Sequence, residues 1–364
     1  MPLTDADVAR NTNTVPFIRT IMPLNETTAM TILDLAEWPL IPRGTAFEDH
    51  TVGRVFDHRW GRTVHASDNI SFTTQMLAFN PVYFDRAAAH AAGHAAEVVN
   101  PMLVFDIVFG LSVEDLSEAG GPFLGADGVE FLREVYPGET LYASSTVVEA
   151  RASGSRPDTG IVTWQTEGRV SSGEVVLRFK RTNLVRRRTD GGHYTALSEG
   201  FAEDFVPGAR FRHARTRTIT DVDLNGLTLL VMNTASGHFS EQEMAGSPFG
   251  GRINFGGLTL ALTVGLATQD TTAQALREIG LDEIRFAAPV RHGDTIGAVT
   301  EVLAVEPTQH HSAVVTFRHF GINDRNEVVC ETSRHVETCT RSAATTSASP
   351  AHAHQSAASS SSIN

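Results

Sequence analysis

The chain has 364 residues, 41% hydrophobic and 20% charged, with a formal net charge of −13. That length exceeds a single ordinary domain of ~100–200 residues and suits two, and the composition supports a conventional packed core. The acidic balance argues against a nucleic-acid-binding face, no run of ~18 apolar residues offers a membrane span, and the two cysteines, Cys330 and Cys339, form neither a metal-ligand nor a disulfide framework.

Residues 1–46 read as an N-terminal extension with little periodicity. Its first twenty residues carry acids and lack the basic-then-apolar order of a secretion signal, so a cytoplasmic, reducing setting is expected. A first domain is expected over 47–188. It opens on a strand-like run, VFDHRWGRTV (55–64), passes a short polar helical stretch, FDRAAAHAAG (84–93), and reaches PMLVFDIVFGLSVEDL (101–116). The last is apolar nearly all round, which predicts a helix buried on most sides. Three strand-like runs close the domain: ETLYASSTVVEA (139–150), GIVTWQTEGRV (160–170) and EVVLRFKRTNLV (174–185). Arg186, Arg187 and Arg188 end the last run, as a solvated edge or as a contact to the phosphates of an anionic ligand. Residues 189–200 are polar and Gly/Ser-bearing, as a linker should be.

A second domain, 201–341, repeats this order. RFRHARTRTI (210–219) is followed by HFSEQEMAG (238–246), the apolar helix GGLTLALTVGLATQ (256–269), and the runs DTIGAVTEVLAV (294–305), HSAVVTFRHFG (311–321) and EVVCETSRHVET (327–338). The remaining tail, 342–364, is Ser- and Ala-rich, with too few large apolar groups to offset its ordering entropy, so disorder is expected there. The two domains match at a constant offset of 155 residues: Gly53 with Gly208, Phe56 with Phe211, His58 with His213, Arg62 with Arg217, Asp68 with Asp223, Phe84 with Phe239, Gly138 with Gly293 and Thr140 with Thr295. One constant register over so many pairs signals an internal duplication. One buried helix and a following set of β-branched strands per copy predict an α+β layer architecture, and two such sheets could pair edge to edge as a pseudo-dimer.

The same register exposes where the copies differ. Leu77-Ala78-Phe79-Asn80-Pro81-Val82-Tyr83-Phe84 aligns with Met232-Asn233-Thr234-Ala235-Ser236-Gly237-His238-Phe239, which sets Tyr83 against His238 and Ala78 against Asn233. This segment resembles the hydratase motif of the MaoC-like dehydratases, or (R)-specific enoyl-CoA hydratases, of the form Asp-x-Asn-Pro-x-His. Copy one keeps the frame without either catalytic residue type. Copy two keeps the histidine and carries Asn233 where the acid would stand, which removes one possible base. With Gly251-Arg252 and Gly256-Gly257 downstream, it is similar to the mesaconyl-CoA hydratases, also called 2-methylfumaryl-CoA hydratases or β-methylmalyl-CoA dehydratases. LVFDIVFG, VYPGETL and EVVLRF in copy one resemble the non-catalytic half of that family, and Arg285, Pro289 and Gly293-Asp294-Thr295 its other half. The resemblance, covering roughly residues 47–340, implies a double hot-dog fold: two fused hot-dog domains, each an antiparallel sheet wrapped on a central apolar helix. It further implies an acyl-CoA thioester substrate, no cofactor beyond the CoA it carries, and a homo-oligomer of the fused pseudo-dimer.

The chemistry of hydration supports the same residues. Water must be aimed at a β-carbon and deprotonated, negative charge on the thioester oxygen must be stabilised, and a proton must reach the α-carbon. An imidazole can serve as base and acid, so His238 is the candidate, against the alternative of a half-buried structural histidine. Asn233 cannot take a proton but can orient the water; it could equally cap a turn. Gly256 and Gly257 precede the second apolar helix, whose first turn presents unpaired N–H groups and the positive dipole end, an oxyanion-hole arrangement; they could instead only permit close packing. Pro101 and Met102 hold those places in copy one, and Pro101 has no N–H. Arg252 could hold the free carboxylate of a dicarboxylic acyl chain, contact CoA phosphate, or make a surface ion pair, and Arg285 is a similar candidate. His58 and His213 recur at one repeat position and are expected to be structural. Two rivals remain open: an acyl-CoA thioesterase, which would need a carboxylate base near the thioester, and a non-catalytic acyl-CoA-binding protein.

Overall fold

The computed structural model describes residues 31–188, 199–308 and 311–344; most of the expected linker and tail lies outside these. The first half contains β1 (Val55–Asp57), β2 (Arg62–Thr63), α1 (Ala66–Gln75), a 3-10 turn (Pro81–Tyr83), α2 (Arg86–Ala91), α3 (Pro101–Leu116), β3 (Phe123–Phe131), β4 (Thr140–Ala152), β5 (Thr159–Val170) and β6 (Val175–Arg186). The second repeats it: β7 (Arg210–Arg212), β8 (Arg217–Thr218), a π-turn (Val222–Leu227) running into α4 (Thr228–Leu230), a 3-10 turn (Ser236–His238), α5 (Glu241–Met244), α6 (Gly256–Thr271), β9 (Ala275–Phe286), β10 (Thr295–Pro307), β11 (Ser312–Ile322) and β12 (Val328–Cys339). Each half is an antiparallel sheet packed on its long helix, in the orders β1-β4-β5-β6-β3 and β7-β10-β11-β12-β9. This is the double hot-dog architecture, and the duplication extends to register: Phe56 pairs with Ser145 and Phe211 with Thr300, again 155 residues apart.

The long helices follow from their composition, but burial is less complete than their all-round apolarity predicts. The α3 face carrying Leu103, Val104, Ile107 and Val108 packs on Leu141, Leu177 and Phe179, while Phe105, Phe109 and Leu111 are only partly covered. The corresponding face of α6 is built from small residues, Thr259, Thr263 and Ala267. Thr263 returns its hydroxyl to the Thr259 carbonyl at 2.9 Å and sits against Gly321, where any Cβ would collide with it. One sheet wraps one side of a helix, so the flanking leucines of α6 stay half-covered.

Two strands were not expected. β3 and β9 are exposed along nearly their whole length, so neither shows the in-out alternation that marks a half-buried strand. Bulges interrupt both ladders, and Glu283 sits in the left-handed region at φ 52. The expected edge-to-edge pairing is also corrected: among the described residues β3 and β9 are the outer strands of separate sheets and share no ladder.

A buried charge cluster joins the halves instead. Arg43 is 7% exposed and reaches Glu114 near the end of α3 at 3.1 Å and Asp270 near the end of α6. Carboxylates at the negative end of a helix dipole are unfavourable alone; one guanidinium between two helix ends offsets both. Trp60 donates to Glu114 at 2.8 Å, and Arg215 pairs with Glu118 at 2.7 Å. Arg43 arrives on the extension, whose described part straps the second half: Ile32 bridges Glu327, Leu40 bridges Arg212, and Trp38 is buried among Val299, Ile322 and Val328.

Asp270 also anchors His213 at 2.6 Å, whose other ring nitrogen meets Thr300 at 2.7 Å. His58 makes the matching contacts to Asp115 at 2.6 Å and Ser145 at 2.9 Å. The repeated histidines are therefore strand-to-helix ties, as expected.

Two measurements test this framework. Arg43→Ala strands two buried carboxylates and is expected to cost about 3–5 kcal/mol in urea unfolding, whereas Arg151→Ala, in an exposed pair with Glu149, costs under about 1 kcal/mol. The second concerns acid. Burial lowers His50 to about 4 and His319 well below its ordinary value, so both stay neutral when folded and protonate on unfolding near pH ~6.5. Their contribution is complete above that pH and declines below it, for His50 down to about 4. Stability should lose about 1.4 kcal/mol per pH unit per histidine below ~6.5. Urea midpoints between pH 7 and 5 should flatten in a His50→Phe, His319→Phe double variant, and an unchanged slope would refute the assignment.

Candidate active site

His238 ends the 3-10 turn Ser236–His238 and is half-buried. Its Nδ1–H donates to the Ile253 carbonyl at 3.0 Å, while the Ile253 N–H returns to the Gly237 carbonyl at 3.4 Å. This exchange seats the turn against the segment entering α6, with the imidazole 5.5 Å from the Phe255 ring. Because Nδ1 is the donor, Nε2 carries the lone pair in the neutral ring, the form needed to accept a proton.

Asn233 follows Met232, held at φ 58; Leu77, its counterpart, is at φ 57. The same left-handed residue therefore redirects both copies into this segment. Asn233 Oδ1 accepts from the Ala235 N–H at 2.9 Å, so the side chain does cap a turn. An amide oxygen has two lone pairs and the Nδ2 two protons, which leaves capacity to bind water.

The start of α6 differs from that of α3 in a way that bears on chemistry. In α3, Asn100 is the N-cap and its Oδ1 accepts from Met102 N–H at 3.0 Å, while Pro101 occupies the first position. Pro101 has no N–H, and the N–H groups of Asn100 and Met102 are engaged by Asn69 and Asn100. In α6 the N-cap is Phe255, which makes no side-chain cap hydrogen bond, and the Gly256 and Gly257 N–H groups are unengaged among the described residues. The glycines also answer a packing demand. A Cβ on Gly256 would lie 3.1 Å from the Phe286 ring and one on Gly257 2.6 Å from the Phe255 ring. Neighbouring Asn254 gives its Nδ2 to Thr259 at 3.0 Å, and its buried Oδ1 has no partner among the described residues. Asn254, Phe255 and Phe286 were not singled out from sequence: aromatic walls and a spare amide oxygen have no spacing signature.

His238 is thus seated against Ile253 and Phe255, the residues that lead into Gly256 and Gly257, with Asn233 at the other end of its own short segment. Arg252 lies next to it but is engaged, meeting Glu241 at 2.7 Å, Asp221 at 2.9 Å and Asn225 at 3.1 Å. The two carboxylates raise its pKa, the Glu241 hydrogen bond most of all. Arg285 is separated from the group. It lies opposite Glu331 on β9–β12, and strand alternation puts it on the other face from Phe286. Arg187 and Arg188 pair with Glu48 at 3.6 Å and Asp49 at 2.6 Å. Cys330 is fully buried and its thiol is pushed up to about 11 by burial, which leaves it inert as a nucleophile. Among the described residues no cluster of His, Cys, Asp or Glu could hold a metal ion, and no helix is long and apolar enough to cross a membrane.

Comparison with known proteins agrees with this duplicated arrangement. The model of the family described as mesaconyl-CoA hydratase matches twice, over residues 24–208 and 190–339. The chain belongs to the mesaconyl-CoA hydratase family. Mesaconyl-CoA hydratase of Haloarcula hispanica is 33% identical over 318 residues, 79% of this chain and 88% of that protein. Mesaconyl-CoA hydratase of Cereibacter sphaeroides is 28% identical, covering 71% and 83%, and β-methylmalyl-CoA dehydratase of Chloroflexus aurantiacus is 28% identical, covering 72% and 82%. As a member of this MaoC-like family the chain is a hydro-lyase acting on an acyl-CoA thioester.

The glycine packing predicts a contrast within α6. Gly257→Ala should destabilise by about 1–3 kcal/mol through overpacking on Phe255. Gly265→Ala, in the same helix with open space at its Cβ, should stabilise by about 0.5–1 kcal/mol through helix propensity. Thermal midpoints of the two variants check both signs.

Proposed function

We propose that the enzyme reversibly adds water to mesaconyl-CoA to form 3-methylmalyl-CoA, with the reaction centred on His238. In the hydration direction Nε2 accepts a proton from water as the oxygen bonds to the β-carbon. The electron pair of the double bond moves towards the thioester, whose oxygen gathers negative charge against the Gly256 and Gly257 N–H groups. The imidazolium then returns the proton to the α-carbon, so water is consumed and nothing else changes. Asn233 orients the water. Arg252 receives the free carboxylate of the acyl chain, which takes the place of one of its present acidic partners. Arg285, paired with Glu331 on the far face, has no part in these steps.

One observation carries this proposal: of the two matched helix starts, the one left uncapped by its own side chain is the one whose entering residues, Ile253 and Phe255, contact an imidazole. A base and a set of open amide donors are of little use separately, and they coincide in the second half. The first half has a phenol and a capped, proline-started helix in the same places.

With mesaconyl-CoA as substrate, His238→Ala should reduce kcat by about 10²–10⁴, and Tyr83→Phe should leave it unchanged. Free CoA thiol should not accumulate in either assay; thiol release in place of hydration would establish a thioesterase and sink the proposal. Arg252→Ala tests the carboxylate role separately. It should lower kcat/KM for mesaconyl-CoA at least ~10-fold more than for crotonyl-CoA, which lacks the second carboxylate. Equal losses would assign Arg252 to holding α5 against the π-turn.

A further inference from the structure

The first half keeps a cavity of 410 Å³ at the place that corresponds to the site just described. Tyr83 and Pro101 line it, the counterparts of His238 and Gly256. So do Val82, Val98, Val99, Val104, Phe131 and Val135. At three of these six positions the second half is smaller or more polar: Gly237 for Val82, Asn254 for Val99 and Thr259 for Val104. The others correspond to Ile253, Phe286 and Val290. His94, Arg133 and Glu134, where the second half has Phe249, Ala288 and Pro289, complete the lining beside Leu132, so the cavity has a hydrocarbon part formed by the six residues above and a polar part. Its volume lies within the ~300–1,000 Å³ usual for small-molecule sites.

We propose that this cavity is a second, non-hydrating ligand site for the uncharged acyl chain of an acyl thioester. Its valine walls and Phe131 favour a saturated hydrocarbon chain. Arg133, which lines the cavity, is neutralised by Glu139 at 2.7 Å and Glu174 at 2.8 Å, so a carboxylate is not favoured there. The Tyr83 hydroxyl makes no hydrogen bond among the described residues and can donate one to the thioester carbonyl. That carbonyl cannot be activated for water addition, because Pro101 has no N–H and Asn100 occupies the Met102 N–H. A bound chain would therefore be held, not converted. The site is distinct from the one centred on His238 and does not depend on its chemistry.

Saturated thioesters separate the two sites because neither can hydrate them. Butyryl-CoA titrated calorimetrically into the full chain should bind with two equivalents per chain. A diazirine-bearing butyryl-CoA should label peptides from residues 82–104 as well as from the second half. Val104→Phe, which fills the cavity, should cut first-half labelling at least ~5-fold while mesaconyl-CoA hydration stays within about twofold of the parent. His238→Ala should reduce hydration by about 10²–10⁴ and leave first-half labelling intact. One equivalent per chain, with label confined to the second half, would overturn the proposal. So would first-half labelling that Val104→Phe does not reduce. The wild-type labelling stands even if Val104→Phe fails to fold. Label confined to the first half would support this site and overturn the placement of the substrate beside His238.

Discussion

Every α-helix begins with N–H groups that no residue within the helix can satisfy, and the two halves of this chain meet that constraint in opposite ways. The first closes its helix with Asn100 and Pro101; the second leaves Gly256 and Gly257 open. A capped start is the more stable choice by ~1 kcal/mol. The hydrogen bond from His238 Nδ1 to Ile253 couples the imidazole to this open start. It sets both the tautomer and the position of the ring.

The remainder of the fold holds that pair of features still. The sheet packs against α6 through threonines and Gly321, which brings helix and strands closer than leucine would allow. At the opposite end of the helix Asp270 is tied to His213 and Arg43, and Arg43 is tied in turn to α3 through Glu114. The extension ahead of the first half is thus part of the second half's support. Burying three charges is costly unless each is paired and hydrogen-bonded, and this cluster joins the C-terminal ends of both long helices.

Comparing the two copies separates scaffold from chemistry. Where they agree, the shared residues proved to be structural. His58 and His213 link strand to helix, and Asp223 caps its own turn through Thr220 at 2.8 Å. Two of their differences lie at and beside the start of the long helix: Tyr83 against His238, and Pro101 against Gly256. A duplicated fold must keep what holds it together in both copies but needs its reactive groups only once. The helices and six of the long strands were legible for the same reason, since periodicity in the sequence reflects one covered face. β3 and β9 were not legible, because both of their faces are exposed and bulges break their ladders.

From the order of its residues alone the chain determined its duplication, its two helix-and-sheet units, the imidazole at the motif position and the glycines ahead of α6. These are local properties: spacing, residue type and a constant offset. Only the tertiary structure decided which of the helix-start N–H groups were free, that Arg252 already holds two carboxylates, that Arg285 turns away, and that the extension crosses to the second half. The last three depend on partners distant in sequence, and a hydrogen bond or ion pair leaves no trace in the spacing of either residue that makes it.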